Sequence, residues 1–459
     1  MSFLIYIAGF ILILGILVFV HEFGHYAVAK LCGVRVEVFS LGFGKRIAGF
    51  KRGDTDYRIS ILPLGGYVKM AGENPMEAHT GDPGEFTSHP RWQRFLIAIA
   101  GPVMNILLAI AVLTGVFMAH HYYFIYERKP AQVAWVKSGS TAETAGAQPG
   151  DTIVKIKTYG LFSTNTIDNP TWEQVERKVE INSGRPVDLL LQRGDKLVPA
   201  TIYPRAEGPE EIGQAGLSPK EPMRVTELAR EPAEKNGVQE KGPAEKAGIQ
   251  FGDIVLSLNN KPIINMAHFK DLLQESKGNA VEVTVQRGTE QRSFHVTPML
   301  AKTGNGEKSE YIVGIRGYPE RADEKLPFKA ALTASMDECR SSSVLIFELV
   351  GKMVQRRSMK QMSGPIGIAK VSGEALKAGL IPVLSVMALI SINLAIFNLF
   401  PIPILDGGLM LMLLIESILR RDIKQQVKER VYQAAFVFLV IFAAMVIYND
   451  IAKSWAGHL

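Results

Sequence analysis

The stretch His21-Glu22-Phe23-Gly24-His25 directly follows a charge-free apolar segment, Phe3 to Val20. About 20 apolar residues cross the hydrocarbon core of a bilayer as a helix, so this segment predicts a membrane helix that ends in the polar motif. The segment has neither a basic start nor a small-residue cleavage site. We therefore expect a retained membrane span and not a signal peptide.

The two histidines have the spacing of a metal site. Positions four apart on a helix lie on one face, about 6 Å apart along the axis, so both imidazoles can bind one cation. Glu22 lies beside a ligand and can act as a general base without binding the metal itself. Ionisable groups at membrane depth are costly and functional by default, which favours a site over chance surface histidines. The pattern predicts His21 and His25 as zinc ligands and Glu22 as the catalytic base.

A third ligand must come from elsewhere, because a catalytic zinc has three protein ligands. A later apolar segment ends in Asn398-Leu399-Phe400-Pro401-Ile402-Pro403-Ile404-Leu405-Asp406-Gly407, where two prolines interrupt the helix before the carboxylate of Asp406. Taken alone, Asp406 is better explained as the cap of a following helix that begins at Gly407. Beside His21 and His25 in the same half of the membrane, the ligand role is favoured, with one zinc ion per chain.

Four apolar segments qualify or nearly qualify as membrane spans: Phe3 to Val20, Phe95 to Phe117, Ile381 to Phe400 and Val431 to Tyr448. Lys and Arg are concentrated in the connections 30–94 and 420–430, which the positive-inside rule places in the cytoplasm. Both termini and the long middle segment are then expected outside. Ser343 to Val354 is apolar but short and charged, which predicts an interfacial helix on the outer face that anchors the chain.

Composition agrees with a membrane protein that carries a soluble insert. The chain has 459 residues, of which 47% are hydrophobic and 21% charged, so a disordered chain and a single small domain are both excluded. The net charge of +6 belongs to the basic loops and gives no reason to expect nucleic acid. Cys32 and Cys339 are predicted to be two free thiols.

The middle segment contains an internal repeat. Residues Ala142 to Ile156 reappear 102 positions later as Ala244 to Leu258, with seven of fifteen positions identical. Each copy continues with a helical pattern and then an alternating strand that ends in Gln-Arg-Gly. A small-residue helix followed by Gly-Asp and a β-branched strand resembles PDZ domains in their bacterial, circularly permuted form. Such domains can bind a peptide along a sheet edge, or they can serve here as spacers or a lid; both alternatives stay open.

Together these features resemble the site-2 protease family of intramembrane zinc metalloproteases (peptidase family M50), in its bacterial branch with tandem PDZ domains. The resemblance rests on His-Glu-x-x-His ending a first span, on Asn-x-x-Pro-x-x-x-x-Asp-Gly in a later span, and on the inserted repeat. Further matching segments are Gly42-Phe43-Gly44, Leu62 to Met70 and Gly101-Pro102-Val103-Met104-Asn105.

The resemblance implies a fold and a domain order. The fold is a polytopic α-helical membrane protein with four transmembrane helices, a membrane-reentrant β-hairpin and two inserted PDZ (α+β) domains. The predicted domains are an N-terminal membrane part (1–122), two PDZ domains (127–220 and 222–310), an amphipathic interfacial segment (325–375) and a C-terminal membrane part (376–459). The hairpin is expected within Tyr57 to Met70, turning at Gly65-Gly66; an ordinary cytoplasmic hairpin packed on the first helix is the alternative.

The resemblance also implies an activity. The chain is expected to be a zinc metalloendopeptidase of the bacterial inner membrane, with its PDZ domains and both termini in the periplasm. It would cut single-span membrane proteins such as an anti-sigma factor already trimmed outside, and remnant signal peptides. Asn393, Asn398, Tyr67, Gly65 and Gly66 are expected to hold the extended substrate. A catalytically silent PDZ scaffold and an ion or proton transporter are the two alternatives.

Overall fold

The computed structural model describes residues 2–73, 81–160, 164–207, 212–228, 241–303, 308–356 and 364–456. The chain divides into two compact units. The first comprises Met1–His121, Glu324–Val350 and Met362–Ala452, and the second is mainly Tyr122–Asp323. The domain boundaries expected from the sequence stay predictions.

Long helices dominate the first unit. Numbered along the chain, they are α1 (Ser2–Cys32), α2 (Arg91–Ala119), α7 (Phe328–Arg356), α8 (Pro365–Ala378), α9 (Leu380–Asn398), α10 (Asp406–Leu419) and α11 (Gln425–Ala456). Among the described helices, α1, α2, α9 and α11 are long and apolar enough to cross a membrane, which confirms the four predicted spans. Apolar side chains of α1, α8 and α9 form one core, for example Leu17 with Met387, and α2 packs against α9 through residues such as Leu113 and Ile392.

The β-hairpin of this unit is longer than the sequence predicted. Strands β1 (Val36–Arg52) and β2 (Thr55–Met70) meet at a turn that contains Gly53, where φ is +59°. The predicted turn at Gly65-Gly66 is therefore wrong, because both glycines lie within β2. Their small size serves close packing instead: a Cβ on Gly65 would lie 2.4 Å from the ring of Phe43, and one on Gly66 would lie 2.8 Å from the carbonyl oxygen of Ser40.

The predicted interfacial helix is also longer than expected. Helix α7 starts at Phe328, although its first half is polar, and α8 is a separate helix. Side-chain hydrogen bonds stabilise that polar half: Ser335 Oγ lies 2.9 Å from Thr114 Oγ1 on α2, and Ser342 Oγ donates to Glu338 Oε1 at 2.9 Å. Helix α7 is not among the described helices that qualify as membrane spans, and its interfacial position stays a prediction.

The second unit contains the two repeat copies, each with its own hydrophobic core. Short strands β3 (His121–Phe124) and β20 (Arg321–Glu324) pair where the chain enters and leaves this unit. The first copy's elements are β4 (Trp135–Val136), α3 (Thr141–Thr144), β5 (Thr152–Tyr159), β6 (Thr164–Asp168), α4 (Trp172–Ile181), β7 (Val187–Arg193), β8 (Lys196–Ile202), β9 (Arg205–Glu207), β10 (Ile212–Gln214) and β11 (Leu217–Ser218). Those of the second are β12 (Met223–Leu228), α5 (Pro243–Ala247), β13 (Ile254–Leu258), β14 (Lys261–Pro262), α6 (Met266–Glu275), β15 (Val281–Arg287), β16 (Glu290–Val296), β17 (Met299–Thr303), β18 (Lys308–Ile312) and β19 (Ile315–Tyr318). The first copy has a four-stranded sheet ordered β6-β5-β7-β8, and the second has β16-β15-β13-β12-β19 with β14 beside β13.

One contact explains why Gly-Asp and Gln-Arg-Gly recur together in both copies. Asp253 is buried at the start of β13 and accepts two hydrogen bonds from Arg287 at the end of β15, at 2.8 and 2.7 Å. Asp151 and Arg193 form the same pair in the first copy, at 2.7 and 2.8 Å. The repeated residues therefore form a repeated ion pair that ties the turn to a neighbouring strand.

Candidate metal centre

The His-Glu-x-x-His motif lies within a continuous helix, because α1 extends past the apolar segment to Cys32. His21 and His25 are both buried, and their ring centroids are 4.8 Å apart. Their Nε2 atoms are 3.2 Å apart. The helix therefore directs one nitrogen of each imidazole to a common point.

Asp406 reaches the same point from the other end of the chain. It is the first residue of α10, and its Oδ2 lies 3.1 Å from His21 Nε2 while its Oδ1 lies 3.5 Å from His25 Nε2. The two glycines after it allow α10 to start against the proline-containing loop. A Cβ on Gly407 would lie 2.3 Å from the carbonyl oxygen of Leu399, and one on Gly408 would lie 2.2 Å from that of Ile402.

These three side chains fit a zinc ion. Zinc bonds of 2.0–2.1 Å in a tetrahedron separate neighbouring ligand atoms by about 3.3–3.4 Å. The two Nε2 atoms are 3.2 Å apart, and the nearest oxygens of Asp406 are 3.1 Å (Oδ2) from that of His21 and 3.5 Å (Oδ1) from that of His25. Oδ2 is buried and makes no hydrogen bond of good geometry among the described residues, although His21 Nε2 is close. A buried carboxylate oxygen of this kind calls for a cation. Two imidazoles and one carboxylate are also the donors found in hydrolytic zinc sites.

Helix α2 forms one wall of the centre. The carbonyl oxygen of Ile97 lies 2.7 Å from His25 Nδ1, and the side-chain amide of Asn105 lies 3.1 Å from His21 Nδ1. Between these two contacts lies Gly101, where a Cβ would be 2.3 Å from His25 Nε2. Nδ1 of each histidine therefore has a polar partner on α2, and Gly101 lets this helix approach the two imidazole rings.

Glu22 lies with the three predicted ligands in one cavity of about 510 Å³. The backbone N–H of Val68 on β2 faces its carboxylate. The cavity lining also includes Gly65, Gly66 and Tyr67, so the hairpin and the predicted base share one space. The structure thus brings together most of the residues selected from the sequence.

The two predicted asparagines are placed differently. Asn398 ends α9, lines the cavity, and has its Nδ2 3.2 Å from His21 Nε2. Asn393 lies five residues earlier on α9, is half-buried, and is not among the described residues that line the cavity. Of these two asparagines, Asn398 is therefore the one that contacts the centre.

Sequence reasoning did not assign roles to Asn105 and Glu73. Asn105 is fully buried, and its Oδ1 has no partner among the described residues, a state that costs about 1–3 kcal/mol. Glu73 lines both the main cavity and an adjoining one of about 240 Å³, and burial raises the pKa of its carboxyl to about 7. Two features of the sequence could have identified them: Asn105 is an asparagine within an apolar span, and Glu73 is an acidic residue just beyond the hairpin.

Comparisons with known proteins cover nearly the whole chain. Residues 9–442 match Peptidase family M50. The Escherichia coli protein named regulator of sigma-E protease RseP is 32% identical over 479 residues, covering 99% of this chain and all of its own length. A Vibrio cholerae protein that carries the provisional name zinc metalloprotease is 31% identical over 475 residues, covering 97% of this chain and 98% of its own. The Haemophilus influenzae regulator of sigma E protease is 30% identical over 475 residues, covering 99% and 100%.

One solved structure matches part of the chain. It is the PDZ domain of an SdrC-like protein from Listeria monocytogenes, with 15% identity and a TM-score of 0.16, covering 21% of this chain and 87% of its own. A likeness this low supports no conclusion on fold. The PDZ fold and its circular permutation therefore stay predictions from the sequence.

Proposed function

The chain belongs to peptidase family M50 and is a metalloprotease, and from this premise we propose that it is an intramembrane zinc endopeptidase. One observation carries the proposal: His21, His25 and Asp406 bring their ligand atoms within 4.8 Å of one another in a cavity that also contains Glu22. These three residues would hold a zinc ion, which would supply the Lewis acidity needed to polarise the scissile carbonyl and activate water. The site is part of the helical unit that contains the four candidate spans, which is where a peptide bond inside a membrane would be cut.

Glu22 is the proposed general base. Its carboxylate takes a proton from the attacking water and returns it to the amine of the leaving strand, which avoids expelling an unprotonated amide nitrogen. The Val68 N–H faces this carboxylate, and both residues line the cavity. Asn398, whose amide nitrogen lies beside His21, is the proposed donor of a hydrogen bond to a substrate carbonyl.

Strand β2 is the proposed binding edge for the unwound substrate. A transmembrane helix must give up its own hydrogen bonds before a protease can cut it, and a sheet edge can replace them. Residues 66–70 pair with β1 on one side, and Gly66, Tyr67 and Val68 also line the cavity. Exposed apolar residues on this hairpin, among them Phe43, Ile47 and Phe50, support a membrane-reentrant position.

The proposed substrates are single-span membrane proteins trimmed beforehand outside the cytoplasm, with remnant signal peptides as a second class. An anti-sigma factor is the favoured example, because two of the compared relatives are named regulators of sigma E. The repeat copies would exclude untrimmed substrates by size. We place the chain in a bacterial inner membrane, with the second unit in the periplasm and loops 30–94 and 420–430 in the cytoplasm.

Replacing Glu22 with Gln tests the proposal, because the change keeps the size of the side chain and removes the base. In proteoliposomes with a tagged single-span substrate, Glu22→Gln should lower the cleavage rate by about 10²–10⁴-fold with zinc content unchanged. The matched control is Glu374→Gln, the same change on the exposed face of α8, which should leave both unchanged. Cleavage by Glu22→Gln at the parent rate would overturn the assignment of the base, and a parent protein without zinc would overturn the metal centre.

A further inference from the structure

Asn105 lies where it can control the chemistry of His21 without touching the metal. It is on α2, one turn beyond Gly101, and no part of it is exposed. Its side-chain nitrogen is 3.1 Å from His21 Nδ1, and its side-chain oxygen is buried without a hydrogen-bond partner among the described residues. A buried side-chain amide whose nitrogen has a hydrogen-bond partner and whose oxygen has none requires an explanation.

The imidazole of His21 supplies that explanation. Its Nε2 faces Asp406, His25 and Asn398, so Nε2 is the atom that would bind the metal. A neutral imidazole that uses Nε2 as a ligand carries its proton on Nδ1. The Nδ1–H then needs an acceptor, and the side-chain nitrogen now facing it can only donate.

A half-turn of the Asn105 amide supplies the missing acceptor. The oxygen and nitrogen of an asparagine amide have nearly the same shape, so a 180° rotation exchanges their positions without moving neighbours. The oxygen then lies about 3 Å from His21 Nδ1 and accepts a hydrogen bond from the Nδ1–H group. The side-chain nitrogen moves into the buried position that the oxygen leaves.

The other histidine already has this arrangement. His25 Nδ1 lies 2.7 Å from the carbonyl oxygen of Ile97, an atom that can only accept, so Nε2 of His25 is left for the metal. Helix α2 would therefore set the tautomer of both ligands, two turns apart. The position of Asn105 is itself fixed, because Ser391 Oγ on α9 donates to its backbone carbonyl oxygen at 2.8 Å.

We propose that Asn105 is a positioning residue that holds His21 in the Nδ1–H tautomer and so keeps Nε2 available for zinc. The inference rests on the proposed metal centre and adds an outer partner to it. Loss of such a partner typically lowers metal affinity 10- to 100-fold, because the ring loses both its orientation and its correct tautomer.

Two substitutions test whether Asn105 acts as a hydrogen-bond acceptor for His21 or only fills space. Asn105→Leu keeps the approximate volume and removes the acceptor, whereas Asn105→Asp keeps an oxygen facing His21. Thr114→Val is the control, since Thr114 is another buried polar residue of α2 whose hydroxyl bonds to Ile110 and Ser335 and not to a histidine. The measurement is zinc retained by the purified full-length protein against graded concentrations of a competing chelator.

We expect a 10- to 100-fold loss of zinc affinity for Asn105→Leu, and affinity within about threefold of the parent for Asn105→Asp and Thr114→Val. Parent-like affinity in Asn105→Leu would overturn the inference, and so would an equal loss in Asn105→Leu and Asn105→Asp, which would show a packing effect. A parent protein that binds no zinc would instead overturn the proposed function. The two failures are therefore distinguishable.

Discussion

Gly101 is the position where a single methyl group should disable the metal centre. A Cβ at Gly101 would lie 2.3 Å from His25 Nε2, 2.7 Å from His25 Cε1 and 2.8 Å from His21 Cε1. Ordinary contacts between such atoms are about 3.5–4.0 Å, so a ring must move by about 1 Å. The His25 ring cannot move freely, because its Nδ1 is bonded to the carbonyl of Ile97. Zinc–ligand distances tolerate only about 0.2 Å, and we therefore expect Gly101→Ala to lose zinc.

Helix propensity alone predicts that Gly101→Ala stabilises the protein, which makes the test informative. Replacing Gly by Ala inside a helix is worth about 1 kcal/mol in favour of the helix. On the same helix, a methyl group added at Gly115 would meet no atom within 4 Å, so Gly115→Ala gains the propensity without the clash. Zinc content by mass spectrometry and cleavage of the single-span substrate should both be normal for Gly115→Ala. For Gly101→Ala we expect cleavage to fall at least about 10²-fold. Equal zinc and equal cleavage in the two variants would refute the reasoning.

Two further predictions concern the second unit. Arg287→Leu leaves the buried carboxylate of Asp253 without its bidentate partner and should lower the free energy of unfolding of this unit by about 1–3 kcal/mol. The control Lys261→Leu removes an exposed ion pair and should lower it by less than about 1 kcal/mol. Pulse proteolysis of the full-length protein measures both. Burial, followed by neighbouring carboxylates, raises the pKa of Glu176 and of Glu221 to about 7. The folded state then binds more protons than the unfolded state between about pH 4.5 and 7, so these groups make the unit less stable as pH rises through that window. Glu176→Gln should reduce the difference in unfolding midpoint between pH 5 and pH 8, and an unchanged difference would contradict the shift.

The chemistry of the centre was predictable from local patterns. His21, Glu22 and His25 lie within five consecutive residues, and Asp406 closely follows a segment that prolines interrupt. Each signal can therefore be recognised in a short stretch of sequence. The tertiary partners were not predictable in this way. Asn105 and His21 are 84 positions apart, and nothing in the sequence of either fixes which atom faces which.

The errors at the hairpin have a physical cause. Gly65 and Gly66 favour a turn by local propensity, yet they lie in a strand because Phe43 and helix α1 need their empty side-chain positions. The true turn at Gly53 joins two long strands with irregular register, which weakens the alternating pattern used to find strands. The early start of α7 was missed for a similar reason, since its polar residues find partners only in the folded chain.

His21 and Asp406 are 385 positions apart, so the proposed ligands come from the two ends of the helical unit. A ribosome makes the histidine pair first and Asp406 only after both repeat copies have been synthesised. The proposed centre can therefore assemble only once the chain has been made as far as α10.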